Sequence, residues 1–135
     1  ISIIFQDCNL INGYTVLELL KIRFGSKKIK FDPLLIETKL SQFKINNILN
    51  KKVETLSGGE KQILALTMVQ FENSKIVFCD EPTGSIDIKN ELIAVRLLKQ
   101  ISINKLVFVV SHNFELFSKF ADKVFFMNEG EINEQ

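Results

Sequence analysis

The chain has 135 residues, 46% of them hydrophobic and 24% charged, with only two prolines and six glycines. This composition excludes a disordered or fibrous chain, and the length suffices for one domain with a buried core. Lysine and arginine total 17 against 16 acidic residues, and a net charge of +1 argues against a general nucleic-acid-binding surface. The two cysteines indicate neither a disulfide framework nor a paired metal site, so we expect a reducing, cytosolic compartment.

The first half of the chain predicts one strand followed by a helical region. Residues 1–5 are a β-branched and aromatic run typical of a buried strand. Helical spacing of apolar residues then begins near Val16 and returns over 34–49. The residues that interrupt this pattern are Gly25, Asp32 and Pro33. We therefore predict a small, mostly helical subdomain over residues 14–56.

The second half predicts alternating helices and strands. A helix opening at 57–60 extends to about Phe71, and its broad apolar stripe indicates burial. Residues 76–79 form a continuous apolar run, as expected for a parallel strand covered on both faces. The elements that follow are a helix around 94–101, a strand at 106–110, a short helix at 114–120 and a strand at 124–127. This alternation predicts one α/β domain with a parallel sheet.

The charge is unevenly distributed along the chain. Residues 21–61 contain ten lysines and arginines against four acidic residues. Such a stretch is either a solvated surface or a face that meets an acidic partner or a layer of lipid headgroups. The sequence leaves both interpretations open.

Polar residues follow three of the predicted strands. Gln6 follows the first strand, Asp80 and Glu81 follow the second, and Ser111-His112 follow the third. In an open parallel sheet, ligands bind outside the carboxyl ends of the strands, so these groups are candidates for one site. One carboxylate can face a metal while the other faces a nucleophilic water. The alternatives are that the two carboxylates cap the next helix and that the single histidine is structural.

The segment Leu56-Ser57-Gly58-Gly59-Glu60 supports two interpretations that can both hold. Ser-x-x-Glu before an apolar periodic run is a capping box, which is a structural feature. Two successive glycines also expose backbone amides at a helix N-terminus, where the helix dipole favours anions. Because each glycine lowers helix propensity, a phosphate contact would explain why both are present.

Together these residues resemble the ATP-binding subunit of ABC transporters over essentially the whole chain. The matching segments, in the order found in that family, are Ile4-Phe5-Gln6 (Q-loop), 56–60 (signature), 76–81 (Walker B strand with the catalytic glutamate), Ser85-Ile86-Asp87 (D-loop) and Ser111-His112 (switch histidine). The stretch 80–87, together with Phe5-Gln6-x-x-Asn9-Leu10, is most similar to the subgroup of lipoprotein-release, macrolide and antimicrobial-peptide export ATPases. The resemblance implies a partial P-loop NTPase domain, residues 1–135, with a parallel sheet and the helical subdomain 14–56.

The chain departs from the family in two respects. It contains no Gly-x-x-x-x-Gly-Lys-Ser/Thr segment, so the phosphate-cradling P-loop is absent and we expect the chain alone to be inactive. The family's two arginines after the signature are also missing, because Gln62 is followed by apolar residues and a threonine. The second departure affects local polar contacts of the signature helix.

The resemblance implies an ATPase that uses ATP and Mg²⁺. Asp80 would hold Mg²⁺ through water, and Gln6 would reach the metal and the attacking water. Glu81 would be the general base, and His112 would hold the γ-phosphate and orient the water. Positioning and charge neutralisation supply most of such catalysis.

The resemblance also implies partners. The residues that would act on ATP held by a second ATP-binding subunit, in a head-to-tail dimer, are Ser57, Gly58, Gly59 and Glu60, while Asp87 would link the two sites. A separate membrane permease subunit or domain would carry the substrate, which places the protein in the cytoplasm on the inner face of the membrane. No nucleic-acid partner is expected. The alternatives to an export ATPase are a chromosome-maintenance or translation ATPase and a non-catalytic dimerising fragment.

Overall fold

The computed structural model describes residues 1–30, 32–84 and 86–134 and contains five strands and five α-helices in those ranges. In chain order the elements are β1 (Ser2–Ile4), α1 (Val16–Ser26), α2 (Pro33–Gln42), a 3₁₀ turn (Val53–Thr55), α3 (Gly58–Phe71), β2 (Ile76–Asp80), α4 (Ile88–Ser102), β3 (Leu106–Val110), α5 (Phe114–Phe117), β4 (Phe125–Asn128) and β5 (Glu131–Glu134).

Three of the strands form the predicted parallel sheet, and their order in it is β1-β2-β3. Ile4 pairs with Cys79 of the central strand, and Cys79 pairs with Val109 of β3. The chain crosses from β1 to β2 through α1 to α3, and from β2 to β3 through α4. Because the three strands run in one direction, their carboxyl ends lie at the same edge of the sheet.

One face of this sheet is packed and the other is open. Val77 and Cys79 are buried on the side of the core, whereas Phe78 is 41% exposed on the opposite face. There its ring stacks on Phe108 with centroids 5.0 Å apart. The prediction that 76–79 is covered on both faces is therefore wrong for the part of the chain that is described. Successive side chains of a strand point to opposite faces, and helices pack against only one of them.

Helix α3 is the centre of the core. Its residues from Gln62 to Val69 are all buried, which confirms the predicted burial of this helix. Leu64 and Leu66 lie on different sides of α3 and are both fully buried, since α2, α4 and β1 all contact this helix. The helix positions the glycine pair at its start and β2 after its end.

Helices α1 and α2 and the 3₁₀ turn lie within residues 14–56. The two ends of this region meet, because the Val16 amide donates to the Lys51 carbonyl at 3.0 Å and the Val53 amide donates to the Tyr14 carbonyl at 3.0 Å. Gly25 does not interrupt a helix as predicted but lies inside α1. Asp32 does mark a boundary, because its carboxylate caps α2 at the Leu34 and Leu35 amides.

The C-terminal elements differ from the prediction. Strand β4 is not a further member of the parallel series but pairs antiparallel with β5, Met127 opposite Ile132. The turn between them contains Gly130 at φ +85°, a conformation that favours glycine. Helix α5 ends at Phe117, three residues before the predicted end. Within ranges 1–30, 32–84 and 86–134, none of the helices combines the length and hydrophobicity that a membrane-spanning helix requires.

Candidate functional site

The strand ends bring four of the predicted site residues to one edge of the sheet. Gln6 follows β1, Asp80 ends β2 with Glu81 next to it, and His112 comes two residues after β3. A cavity of about 470 Å³ opens at this edge. The residues that line it are Phe5, Gln6, Asp7, Asn9 and Asp80. The predicted convergence of polar groups at the strand ends is thus observed.

Glu81 is held in a fixed position by the segment after β3. Its Oε1 accepts a hydrogen bond from the His112 backbone amide at 3.0 Å, and the His112 Nδ1 lies 2.9 Å from the same oxygen. Its Oε2 accepts a hydrogen bond from the Ser111 hydroxyl at 3.2 Å. The His112 side chain itself is 82% exposed, so one end of this pair is open to a ligand.

The backbone at Glu81 is unusual. Its φ of +44° lies in the left-handed region, which a residue with a Cβ adopts at a cost. Two hydrogen bonds fix this conformation: the Glu81 amide donates to the Val110 carbonyl at 2.9 Å, and the Gly84 amide donates to the Glu81 carbonyl at 3.0 Å. Six other non-glycine residues of the described chain also have a positive φ, so this conformation positions the Glu81 side chain but does not by itself mark a functional site.

The surroundings of Glu81 favour its ionised form. Burial raises the pKa of Glu81, but the hydrogen bonds from His112 and Ser111 outweigh it, and the pKa lies below its usual value. The hydrogen bonds therefore hold the carboxylate in its ionised form.

Asp80 is placed differently from its neighbour. Its carboxylate is exposed, and among the described residues no side chain forms a hydrogen bond or ion pair with it. Gln6 lines the same cavity, and a Cβ added to Gly84 would lie 3.0 Å from the Gln6 Nε2 atom. Gly84 therefore lets the chain pass close to the Gln6 side chain.

The donor set at this edge fits Mg²⁺ rather than a cation held entirely by protein. No group of three or more histidine, cysteine, aspartate or glutamate residues that could hold a metal occurs in ranges 1–30, 32–84 and 86–134. Mg²⁺ is typically bound through one or two carboxylates, with waters and substrate phosphates as the other ligands. The unpaired Asp80 carboxylate and the Gln6 amide, which line the same cavity, match that pattern.

The start of α3 forms the capping box that the sequence predicts. The Ser57 hydroxyl accepts from the Glu60 amide at 3.2 Å, and the Glu60 Oε2 accepts from the Ser57 amide at 2.8 Å. Burial raises the pKa of Glu60, but the Ser57 amide and the nearby Lys51 outweigh it, and the pKa is lowered. Ser57 and Gly58 are exposed, so this helix start is accessible from solvent.

Gly59 differs from Gly58, because it is buried against α4. A Cβ added to Gly59 would lie 2.4 Å from the Asn90 Nδ2 atom, so the glycine allows this close approach. A phosphate contact is therefore not needed to explain Gly59, contrary to the argument from helix propensity. Asn90 also contacts Asp87, the N-cap of α4. The Asp87 Oδ1 accepts a hydrogen bond from the Asn90 backbone amide, and the Asp87 Oδ2 accepts one from the Asn90 Nδ2 atom.

The predicted site residues thus form two groups. The strand-end group contains Gln6, Asp80, Glu81 and His112, and the helix-start group contains Ser57, Gly58, Gly59, Glu60 and Asp87. No hydrogen bond joins the two groups within the described part of the chain. Ser85 lies outside the described residues.

Sequence reasoning missed three contacts, two of them at these groups and one close to them in the sequence. Asn90 packs on Gly59, Gly84 packs on Gln6, and the Cys8 thiol contacts the Gln62 Oε1 at 2.6 Å. For the first two contacts, the sequence signal was a glycine next to a motif. A glycine indicates that another group approaches the backbone closely, but it does not identify that group. Nothing in the sequence pairs Cys8 with Gln62, which lies 54 positions further along the chain.

A comparison with family models gives a match that includes most residues of these groups but not Asp87 or His112. The model described as ABC transporter matches residues 1–84, which include β1, α3 and β2.

Two curated relatives match nearly the whole chain. The phosphonates import ATP-binding protein PhnC of Fusobacterium nucleatum subsp. nucleatum is 30% identical over 96% of this chain and 57% of its own length. The lipoprotein-releasing system ATP-binding protein LolD of Wigglesworthia glossinidia brevipalpis is 32% identical over 96% of this chain and 58% of its own length. The chain thus spans less than two-thirds of each relative.

Two solved structures share the fold. The dimeric structure of MJ0796, described as a bacterial ABC transporter cassette, superimposes with a TM-score of 0.81 at 27% identity and covers 100% of this chain and 62% of that one. A dimeric post-hydrolysis state of the same cassette, bound to ADP and Pi, gives a TM-score of 0.78 at 26% identity, with 99% of this chain and 62% of that one covered.

Proposed function

Because this chain belongs to the ABC transporter family of ATP-binding proteins, we propose that it is the larger part of an ATP-hydrolysing subunit that powers export across a membrane. Export rather than import rests on the stretch 80–87, which resembles the lipoprotein-release subgroup, and on the likeness to LolD. PhnC, whose name describes import, is a relative of similar identity.

The observation that carries this proposal is the arrangement around Glu81. A charged carboxylate is held by His112 and Ser111 beside the unpaired Asp80, at the edge of a parallel sheet where ligands bind. In this proposal Glu81 accepts a proton from the water that attacks the γ-phosphate of ATP. His112 contacts the γ-phosphate through its exposed ring and keeps Glu81 oriented through its backbone amide.

Asp80 and Gln6 are the residues that would hold Mg²⁺ here. When bound, Mg²⁺ neutralises phosphate charge that develops during transfer. Asp80 suits this role because its carboxylate is exposed in the cavity and is not used by the fold. Gln6 adds a neutral oxygen at the same cavity.

The helix-start group acts, in this proposal, on ATP held by a second ATP-binding subunit. Ser57 and Gly58 present a hydroxyl and an amide at an exposed helix N-terminus, which favours an anion. Glu60 keeps this segment in place through the capping box, and Asp87 at the start of α4 faces the same partner. Support for a dimer comes from MJ0796, whose two described structures are both dimeric.

The chain by itself is proposed to be inactive. Its 135 residues contain no Gly-x-x-x-x-Gly-Lys-Ser/Thr segment, so the β- and γ-phosphates lack their main cradle. Measurable ATP turnover by the isolated chain that is abolished by Glu81→Gln would contradict this part of the proposal.

The transmembrane permease is proposed to dock near the Gln6 loop and residues 14–56, on the cytoplasmic face of the cell membrane. Apolar side chains are exposed there, with Ile11 at 53% and Tyr14 at 41% exposure. Interface centres favour such apolar anchors, while the lysines of 21–61 would lie at the rim. Ile11→Asp and Tyr14→Asp should release the protein from its membranes, whereas Ile103→Asp, a control at a 77% exposed residue after α4, should not.

The hydrolytic proposal is tested in a protein that contains both this chain and a P-loop. Its ATP hydrolysis is compared with and without the substitution Glu81→Gln. Loss of the general base should slow hydrolysis by about 10²–10⁴-fold and trap an ATP-bound dimer on gel filtration with Mg-ATP. Glu115→Gln is the matched control, because Glu115 is an exposed carboxylate on α5 near the same edge. A Glu81→Gln protein that still hydrolyses ATP at the normal rate would overturn the assignment.

A further inference from the structure

We propose that Asn90 is a positioning residue that locks the start of α3 to Asp87, so that the two segments of the helix-start group move as one rigid unit. This inference rests on the proposed function, in which both segments face the partner subunit. It assigns a role to a side chain that lies in neither motif.

The first support is the contact with Gly59. Gly59 is buried, and a Cβ at this position would lie 2.4 Å from the Nδ2 atom, 2.9 Å from the Cγ atom and 3.3 Å from the Cβ atom of Asn90. The Asn90 side chain is thus in contact with the glycine along its whole length. The glycine cannot be replaced unless this side chain moves.

The second support is the contact with Asp87. The Asn90 backbone amide donates to the Asp87 Oδ1 at 2.9 Å, which is an ordinary N-cap. The Asn90 Nδ2 also donates to the Asp87 Oδ2 at 2.9 Å, so both carboxylate oxygens are bound by one residue. A cap needs only the first of these bonds, and the second fixes the rotation of the carboxylate.

One amide group therefore touches both segments. It lies against the backbone of the glycine in the first turn of α3 and orients the carboxylate at the start of α4. A shift of either helix start changes the contact with the other, since close-packed groups do not deform continuously. The consequence is that a γ-phosphate bound at Ser57 and Gly58 also sets the position of Asp87.

The functional test uses the protein that carries this chain together with a P-loop. Asn90→Leu keeps the size of the side chain and removes its hydrogen-bond donor. Asn90→Asp keeps the shape of the side chain and places a second carboxylate next to that of Asp87. Both should lower kcat about tenfold, the effect of one lost hydrogen bond, with the KM for ATP within twofold. Gln100→Leu, on the exposed face of the same helix, should leave both constants unchanged. Unchanged kcat in both Asn90 variants, or equal losses in kcat and ATP affinity, would overturn the proposal.

A second measurement separates this proposal from the proposed function. Thermal unfolding is recorded for Gly59→Ala, Asn90→Ala and the double variant, without nucleotide. Gly59→Ala should lower the melting temperature, and it should lower it less when Asn90 is already alanine, because the clash is gone. Additive shifts would overturn the contact between the two residues. Non-additive shifts in a protein that neither hydrolyses ATP nor dimerises with it would refute the proposed function and leave the contact intact.

Discussion

The two ends of α3 each carry a glutamate, but in very different surroundings. Glu60, in the first turn, has a side chain that is 28% exposed and lies 3.5 Å from the Lys51 Nζ atom. Glu72, the C-cap, is 2% exposed and lies 2.7 Å from the Arg23 Nε atom and 2.6 Å from the Lys27 Nζ atom. One end of the helix is open to solvent, and the other holds a buried charge.

The difference indicates which end serves the fold and which can serve a ligand. A buried carboxylate must recover its lost hydration from close partners, so Glu72 is fully occupied by contacts within the chain. These contacts join separate elements, because Arg23 is on α1 and Ser2, whose hydroxyl donates to Glu72 at 2.5 Å, begins β1. The start of α3 has fewer such contacts and leaves Ser57 and Gly58 exposed.

The largest expected effect is at the buried end. Glu72→Ala removes the common partner of Arg23 and Lys27, and we expect the free energy of unfolding to fall by about 3 kcal/mol. Denaturant unfolding measures this loss. Glu134→Ala is the control, since the pair with Lys123 is exposed and should contribute less than about 1 kcal/mol. Equal losses in both variants would contradict the expectation that the buried ion pairs of Glu72 contribute more than an exposed pair.

The buried end should also make stability depend on pH. Burial raises the pKa of Glu72, but hydrogen bonds from Lys27, Ser2 and Arg23 outweigh it, and the pKa is lowered from 4.5. A group with a lowered pKa in the folded state stabilises the protein above its unfolded pKa and loses that contribution as the pH falls through the folded value. The gap in unfolding free energy between the unsubstituted protein and Glu72→Gln should therefore be full at pH 7 and shrink below about pH 4.5. A gap that stays constant down to pH 3 would contradict this reading.

The two ends of α3 also differ in how well their contacts can be predicted from the sequence. The start of α3 was predictable, because a cap is encoded within four consecutive residues and its partners are local. The convergence of Gln6, Asp80 and Glu81 was predictable too, since parallel strands place their ends together. The role of Glu72 was not, because its partners lie 49 and 70 positions away in sequence. Only packing brings them together.

The open face of the sheet could not be predicted for a related reason. A run of apolar residues such as 76–79 indicates burial but does not say which neighbours supply it. Val77 points toward the core and Phe78 points toward solvent, and this difference can be assigned only when the elements that pack on the sheet are known. The antiparallel pairing of β4 with β5 was missed because 131–134 contains a single apolar residue, Ile132, and therefore gives little strand signal.

A smaller effect is expected at the start of α3. Ser57→Ala removes the acceptor of the Glu60 amide, and losing such a cap costs about 1 kcal/mol of unfolding free energy. Ser57→Thr keeps an oxygen in this position and should recover most of the loss. Thermal unfolding of the two variants is the measurement. Full stability in Ser57→Ala would mean that the Glu60 contact with the Ser57 amide alone holds the helix start.

The smallest effect is expected at Lys51, whose matched counterpart is Lys27, because each lysine contacts the glutamate at one end of α3. Lys51→Met removes a contact of 3.5 Å between side chains that are 45% and 28% exposed, so solvent screens it and the unfolding free energy should change by less than about 0.5 kcal/mol. Lys27→Met removes a contact of 2.6 Å to a carboxylate that is 2% exposed, and Arg23 alone then has to compensate for the buried charge. The second change should therefore cost clearly more than the first, and 1 M salt should weaken the Lys51 contribution but leave most of that of Lys27. Denaturant unfolding of both variants at low and high salt measures the difference. If the two lysines contribute equally and respond equally to salt, burial of Glu72 does not distinguish the ends of the helix.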